Sequence, residues 1–330
     1  YKSLVTKASI EDSEHKLMKL FLICSNSDPC FPNSSLFGFH THKVVISQNE
    51  WTYQSRDGKL FVVDKNDFSV GLPAGKLTFD AVFNAIHGAP GENGQLQSYF
   101  DLIGMPYMGC SSYTSAITFN KRDCIAALKP FDIPSATSYY LNQGDPIDVN
   151  AIIDTVGLPC FVKANCSGSS FGVSKVHKSS DMIAAIEVAF EEGPEVIIES
   201  FLDGIEVSIG VVRYQDRVMV LPATEIVSEN DFFDYEAKYL GKSEEITPAR
   251  LTPAQLNNLN DLAKKVYESL RIEGFSRSEF IFVGNIPHFI EINTIPGLTG
   301  ESLLPQQLKI AGISLKALFE DMVKRTLIKK

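Results

Sequence analysis

Apolar and polar positions along this chain fall into short alternating or continuous runs, separated by clusters rich in glycine and proline. Runs at 43–47, 60–63 and 81–86 predict strands, and the Gly-rich turn 87–94 leads into a helix expected over 95–103. Strand, turn and helix in that order predict an α/β unit. From about residue 115 the pattern changes. Residues 160–164 and 172–176 predict two strands joined by the small-residue loop 165–171. A helix is expected over 181–192, capped by Ser180 and stopped by Gly193, with Met182, Ala185, Ile186, Ala189 and Phe190 on one face. Residues 195–200 predict another strand, ending in a turn at 202–204. Further on, Thr252 and Gln255 form a capping box with Pro253 at the first helical position, and Leu251 and Leu256 supply a hydrophobic staple. Leu256, Leu259, Leu262, Ala263, Val266 and Leu270 then give that helix one apolar face. It reads as a packed helix without chemistry of its own. No internal repeat or low-complexity tract interrupts the chain.

Composition narrows the class. With 330 residues and 44% hydrophobic content the chain has ample core, which excludes disorder as its theme and points to two or three domains. Its 30 Lys+Arg against 40 Asp+Glu leave −10, which argues against nucleic acid or an anionic membrane as the main partner. A small anionic ligand stays open, because it needs only a few local cations. No window has the roughly 18–20 apolar residues of a membrane span. Residues 16–24 superficially resemble a lipoprotein signal. The apolar run 20–24 is shorter than the roughly 7–15 residues of a signal core, so buried structure is expected there instead. Cys24, Cys30, Cys110, Cys124, Cys160 and Cys166 are scattered without a C-x-x-C, and predict reduced, mostly buried thiols in a cytoplasmic protein. His40 and His42, with no third ligand nearby, read as ordinary surface residues.

Three segments carry candidate chemistry. Residues 279–283 and 288–293 flank 284–287 in a hairpin pattern. Alternation puts Glu291 and Asn293 on one face, and a suitable register adds Glu279. Two carboxylates and an amide oxygen suit a hard cation, Mg²⁺ first, against the alternative of a polar edge strand. The loop 167–172 lets backbone N–H groups approach phosphate oxygens, with Lys163 and Lys121 as nearby cations. It is neither a Walker A loop nor a dinucleotide fingerprint, and a plain linker loop is an equal reading. Residues 230–239, dense in aromatics and charge, suit a lid over a small-molecule site or an amphipathic surface segment.

In order, these pieces resemble the D-alanine–D-alanine ligases, ATP-grasp enzymes of peptidoglycan precursor synthesis, from about residue 79 to the C-terminus. The residues that carry the resemblance are His87-Gly88-x-x-Gly91-Glu92-x-Gly94-x-x-Gln97, Asn120-Lys121, and Phe161-Val162-Lys163 with Gly168-Ser169-Ser170-x-Gly172. They continue through Glu199-x-Phe201-x-x-Gly204-x-Glu206, Phe232-Phe233-Asp234-Tyr235-x-x-Lys238-Tyr239 and Arg277-Ser278-Glu279-Phe280. The last is Glu291-Ile292-Asn293-Thr294-x-Pro296-Gly297-x-Thr299 with Ser302-Leu303.

The resemblance implies an α/β (α+β) chain in which an N-terminal Rossmann-like domain precedes an ATP-grasp fold. The domains would be 1–114 for substrate, 115–203 with the phosphate loop, and 204–330 with the metal site and lid. It implies that ATP phosphorylates the carboxylate of one D-alanine and that the amine of a second attacks the acyl phosphate. Glu279, Glu291 and Asn293 would hold two Mg²⁺ or Mn²⁺ ions, and Lys121, Lys163 and Ser170 would bind phosphates. Glu199 and Leu202 would face the adenine, Glu206 the ribose, and Phe232 would pack on the base, with Phe201 a further nucleotide-binding residue. Arg277 and the Gly297 N–H would form the oxyanion hole, and Lys238 would reach the transferring phosphate. Ser169 and Tyr239 would tie loop to lid. His87 would help bind the first D-alanine, and Ser302 and Leu303 would meet the second. Members are usually homodimers. Here Glu279 stands where the family usually has Asp, Ala164 replaces a common proline, and Ser167 a frequent glycine. Asp12-Ser13-Glu14-His15 is similar to the segment whose glutamate anchors the first D-alanine's amine, without the usual Gly-Gly before it and Val-Ser after it. Variants that accept D-serine or D-lactate, and a catalytically impaired ATP-binding homologue acting as a regulator, are the alternatives. Tyr239 argues against the D-lactate variant.

Overall fold

Once the alternating faces are buried, the strand-forming runs gather into three sheets, each drawn from one stretch of chain. The computed structural model describes residues 18–24, 35–36, 39–47, 50–55, 57–168, 171–228 and 243–328. The first sheet holds β1 (Met18–Cys24), β2 (Ser35–Leu36), β3 (Phe39–Ile46), β4 (Trp51–Gln54), β5 (Leu60–Asp64), β6 (Ser69–Leu72), β7 (Gly75–Leu77), β8 (Ala81–Asn84) and β9 (Tyr107–Met108). Its order is β7-β6-β5-β4-β3-β1-β8-β9, with β2 on β3. The apolar run near the N-terminus thus becomes an interior strand, paired with β3 and β8. Pairing is antiparallel except between β8 and β9, which run parallel around helix α1 (Gln95–Leu102). The parallel βαβ geometry of a Rossmann unit is therefore confined, among the described residues, to this segment.

The strand expected over 81–86 stops at Asn84, whose Oδ1 accepts the Ile86 N–H (3.0 Å) while its Nδ2 donates to the Gly91 carbonyl (2.8 Å). That side chain replaces ladder bonds and starts the loop into α1. Gly91 packs so tightly here that a Cβ would lie 2.3 Å from the Ile86 carbonyl oxygen. The surface reading of His42 is corrected. His42 alternates inward with Val44 and Ile46 and is buried against Tyr53 and Phe79, at ring-centroid distances of 5.6 and 5.8 Å.

Helices α2 (Ser112–Phe119) and α3 (Lys121–Leu128) lead to the second sheet, built from β10 (Ser138–Asn142), β11 (Cys160–Ala164), β12 (Ser174–Val176) and β13 (Glu195–Ser200). Its order is β10-β13-β11-β12. Two helices, α4 (Val149–Val156) and α5 (Met182–Glu191), cover one face through Ile152, Met182, Ile186 and Ala189. Ser180 does not cap α5. Residues 179–181 form a 3₁₀ turn that runs into the helix, and Ser180 Oγ donates to Asp181 Oδ1 instead (2.9 Å).

The third sheet contains β14 (Ile205–Tyr214), β15 (Arg217–Val220), β16 (Thr224–Ser228), β17 (Ser243–Ile246), β18 (Phe275–Val283) and β19 (Ile286–Asn293). Its order is β17-β16-β14-β18-β19, with β15 on β14. Helix α6 (Pro253–Ser269) packs on it and carries the expected capping box. Leu259, Ala263 and Val266 are fully buried, and truncating a leucine like Leu259 costs about 2–5 kcal/mol. Leu256, in the first turn of the helix, is 39% exposed and is no part of the core. The β18–β19 turn is tighter than the four residues expected: Val283 pairs with Ile286, leaving only Gly284 and Asn285 between. Helices α7 (Leu303–Ile310) and α8 (Leu315–Ile328) join first and third sheets, since Leu304, Leu308, Leu318 and Phe319 pack with Phe83 and Met108. Cys110, Cys124 and Cys160 are buried free thiols, whereas Cys166 is exposed. Among the described residues no helix is long and apolar enough to cross a membrane.

Candidate active site

The site is a cleft between the second and third sheets. Its first wall is the face of β18 and β19. The register sets Glu279 opposite Glu291 and Arg277 opposite Asn293, so alternation brings all four to one face. A bulge follows at once, between Glu279 and Phe280. Glu279 is buried and accepts a bond from Arg277 Nη2 (3.0 Å), while Arg277 Nε is buried without a hydrogen-bond partner among the described residues. Asn293 Oδ1 accepts the Ile295 N–H (2.8 Å), which turns the chain out of the strand.

The second wall comes from the other sheet. Lys163 on β11 pairs with the buried Glu199 on neighbouring β13. Burial, the largest influence on Lys163, would lower its pKa. The charges of Glu199, Glu291 and Glu279 outweigh it, so the net shift is upward and the ammonium stays charged. Lys121 opens α3, where Asn120 Oδ1 caps the Asp123 N–H (2.9 Å). Its Nζ donates to the Ser167 carbonyl (2.8 Å) and reaches across to Glu291 (3.2 Å). The helix start is locked down by the buried Asn165, whose Oδ1 accepts the Arg122 N–H and whose Nδ2 donates to Glu195 (2.8 and 2.6 Å). Arg122 Nη2 donates to the same carboxylate (2.8 Å).

Between the walls lies an open cleft. Lys121, Lys163, Glu199, Leu202, Glu206, Glu279 and Glu291 line it. Phe201 does not. It packs behind on Phe161 (6.1 Å between centroids), with Lys175 Nζ 4.4 Å above its ring. Phe161, Phe171, Ile281 and Ile290 form the apolar lining. Sequence reading assigned them no role, because nothing in an apolar strand residue marks the side that faces a ligand.

The loop 87–94 lies within electrostatic reach. Glu92 accepts the Gly88 N–H (2.6 Å). Burial, with the charge of Glu291, pushes its pKa up to about 7 against the opposing pull of Gly88, Lys121 and Arg277. Glu92 stood in the motif without a role, and only its surroundings single it out. The His87 pKa is lowered by desolvation and by Arg277. At the far end, Ser302 Oγ accepts the Thr299 N–H (3.1 Å) and shares a bond with Thr299 Oγ1 (2.8 Å), close against Gly297. Leu303 is buried at the start of α7. Glu14, Ser169, Ser170, Phe232, Lys238 and Tyr239 lie outside the described residues.

Comparison with known proteins is consistent along the chain. A family described as D-ala D-ala ligase N-terminus matches residues 39–110, and one described as D-ala D-ala ligase C-terminus matches 128–324. The D-alanine–D-alanine ligase of Flavobacterium johnsoniae is 56% identical over 290 residues, covering 88% of this chain and 89% of that protein. Among solved structures, D-alanyl-alanine synthetase A of Vibrio cholerae superposes with a TM-score of 0.75 at 28% identity, covering 85% of this chain and 86% of the other. The D-alanine–D-alanine ligase of Bacillus anthracis complexed with ATP gives 0.66 at 26% identity, over 76% and 79%.

Proposed function

The chain belongs to the D-alanine–D-alanine ligase family, and on that premise we propose how its own residues perform the ligation. It is an ATP-dependent carboxylate–amine ligase that joins two D-alanines for peptidoglycan precursor synthesis. The observation that carries the residue assignment is the pair of facing walls: Lys121 and Lys163 on one, Glu279, Glu291 and Asn293 on the other. Phosphoryl transfer asks chiefly for positioning and charge neutralisation, and the cleft is built from groups that supply both.

Lys121 and Lys163 bind phosphate oxygens, exchanging part of their pairing with Glu291 and Glu199 for the ligand. Glu199 and Leu202 face the base, and Glu206 the ribose. The oxygen-only donor set of Glu279, Glu291 and Asn293 fits Mg²⁺ or Mn²⁺ in two ions. Glu279 and Glu291 face each other across paired strands, each already beside one cation, Arg277 and Lys121. Glu279, Glu291 and Asn293 would hold the metal, which would supply positive charge to offset that of the phosphates. Arg277, with Nε unpartnered, stabilises the oxyanion that forms when the second amine attacks, together with the Gly297 N–H. His87, whose pKa is lowered by burial and by Arg277, would help bind the first D-alanine. Ser302 and Leu303 receive the second D-alanine.

The three sheets support three domains, with Cys124, Leu128 and Ile133 packing into the core of the third sheet although they precede the second. Family habit supports a homodimer, and the free thiols support a cytoplasmic setting. The decisive measurement is phosphate release from ATP in the presence of Mg²⁺ and D-alanine, with D-alanyl-D-alanine as product and D-serine and D-lactate as competitors. Absence of D-alanine-dependent turnover would sink the assignment.

A further inference from the structure

Gln307 sits in the middle of α7 and is fully buried. An amide is costly in a helix–sheet seam unless its donors and acceptor are matched. Here they are. Gln307 Oε1 accepts the Gly210 N–H (2.8 Å), and Nε2 donates to the Ser208 carbonyl (2.9 Å) and to Thr224 Oγ1 (3.0 Å). The amide fills a gap in the ladder: β14 pairs with β16 through residues 206–208 and with β15 only from Val211. Gly210 lies in that gap, and a Cβ there would stand 2.6 Å from Leu304 Cδ1 and 2.7 Å from Gln307 Oε1. Helix and strand approach this closely because the position is glycine.

On its other edge β14 pairs with β18, and the register puts Ser208 opposite Glu279 and Gly210 opposite Arg277. The two backbone positions that Gln307 grips are therefore the direct neighbours of the carboxylate and guanidinium of the cleft. Five residues before Gln307, the same helix is N-capped by Ser302 and begins at Leu303.

We propose that Gln307 is a positioning residue that sets the separation between the acceptor end of the site, at Ser302 and Leu303, and the Arg277–Glu279 pair. The proposal rests on the reading of Ser302 and Leu303 as the receivers of the second D-alanine. An apolar side chain in its place leaves the Gly210 N–H buried without its partner, so helix and strand must part to rehydrate it. The acceptor end then moves relative to Arg277, while Lys121 and Lys163 stand on elements Gln307 does not touch.

The test is the steady-state kinetics of Gln307→Met, with KM measured separately for ATP and for each D-alanine. The expected result is a rise of about tenfold in the KM for the second D-alanine, the equivalent of one good hydrogen bond, with KM for ATP within about twofold. A uniform change in all three constants, or none in the folded variant, overturns the proposal. Should Gln307→Met fail to fold, Thr224→Val carries the test, since it removes the hydroxyl that Nε2 reaches, with Thr247→Val as the control for the bond that hydroxyl shares with Thr247 Oγ1 (2.6 Å). A rise of about threefold confined to the second D-alanine supports the role, and unchanged kinetics overturn it. Ser302→Ala separates the two readings. If it leaves the second KM unchanged, the acceptor assignment fails. If it raises that KM while Gln307→Met does not, only the positioning role fails.

Discussion

The two walls of the cleft hold their charges in different ways. On the second sheet, Lys163 and the buried Glu199 stand on adjacent strands and satisfy each other, so the wall is electrostatically complete within one sheet. On the third sheet, Glu279 and Glu291 oppose each other across a strand pair. That wall draws its compensation from Arg277 in the same strand and from Lys121, which reaches over from α3. The difference separates a pair formed within one sheet from charges that are matched partly across the cleft. A complete buried pair costs stability when broken. An opposed pair of carboxylates repels, and here that repulsion is offset by Arg277 and Lys121.

The largest expected effect tests the complete wall. Lys163→Met strands the Glu199 carboxylate in a buried site and should lower stability by about 3–5 kcal/mol, read by denaturant titration. Adding Glu199→Gln should recover much of that stability without recovering ATP binding. If the single variant melts like the parent, the wall is not self-contained. Next comes Arg277→Met, expected to lower kcat about 10²- to 10³-fold in the coupled phosphate-release assay. A fall confined to KM would instead make Arg277 a ground-state binder. The opposed wall predicts a milder and opposite signature. Glu291→Gln should raise the Mg²⁺ concentration for half-maximal activity by about tenfold, roughly one lost charge-assisted contact, without lowering the melting temperature of the ligand-free protein. A clear loss of thermal stability would show that the two walls obey the same rule.

The smallest effect asks whether the field of both walls reaches the loop 87–94. The Glu92 carboxyl is pushed from the ordinary carboxylate range up to about 7, so between those values the folded protein binds more protons than the unfolded chain. Stability contributed by the protonated form is then present at low pH and is lost as pH rises through about 7. Glu92→Gln should flatten that part of a melting-temperature profile. An unchanged slope would remove Glu92 from the electrostatic network.

Much of this site is legible in the sequence, for a physical reason that varies from residue to residue. The capping box at Thr252 needs only four consecutive residues, and it formed. Glu291 and Asn293 share a face because strand periodicity alone puts them there. Where local rules compete, sequence patterns mislead. Ser180 lost its cap to a 3₁₀ turn, Leu256 stayed exposed in the first turn of its helix, and His42 went inward because its neighbours two and four residues on do. Phe201 carried a motif signal, yet Phe161 lines the cleft and Phe201 stands behind it.

The sequence by itself determined the chemical inventory and its local placement: the hairpin, the cation before the small-residue loop, the helix starts and the family to which they belong. Spacing of a few residues controls those features, through dihedral preferences and periodicity. Only the tertiary structure decided that Glu279 faces Glu291, that Lys121 crosses to the other wall, that Glu92 titrates near neutrality and that Gln307 grips the strand behind Arg277. Burial and Coulomb energy depend on distances between groups far apart in the chain. Those distances exist only after the sheets have packed.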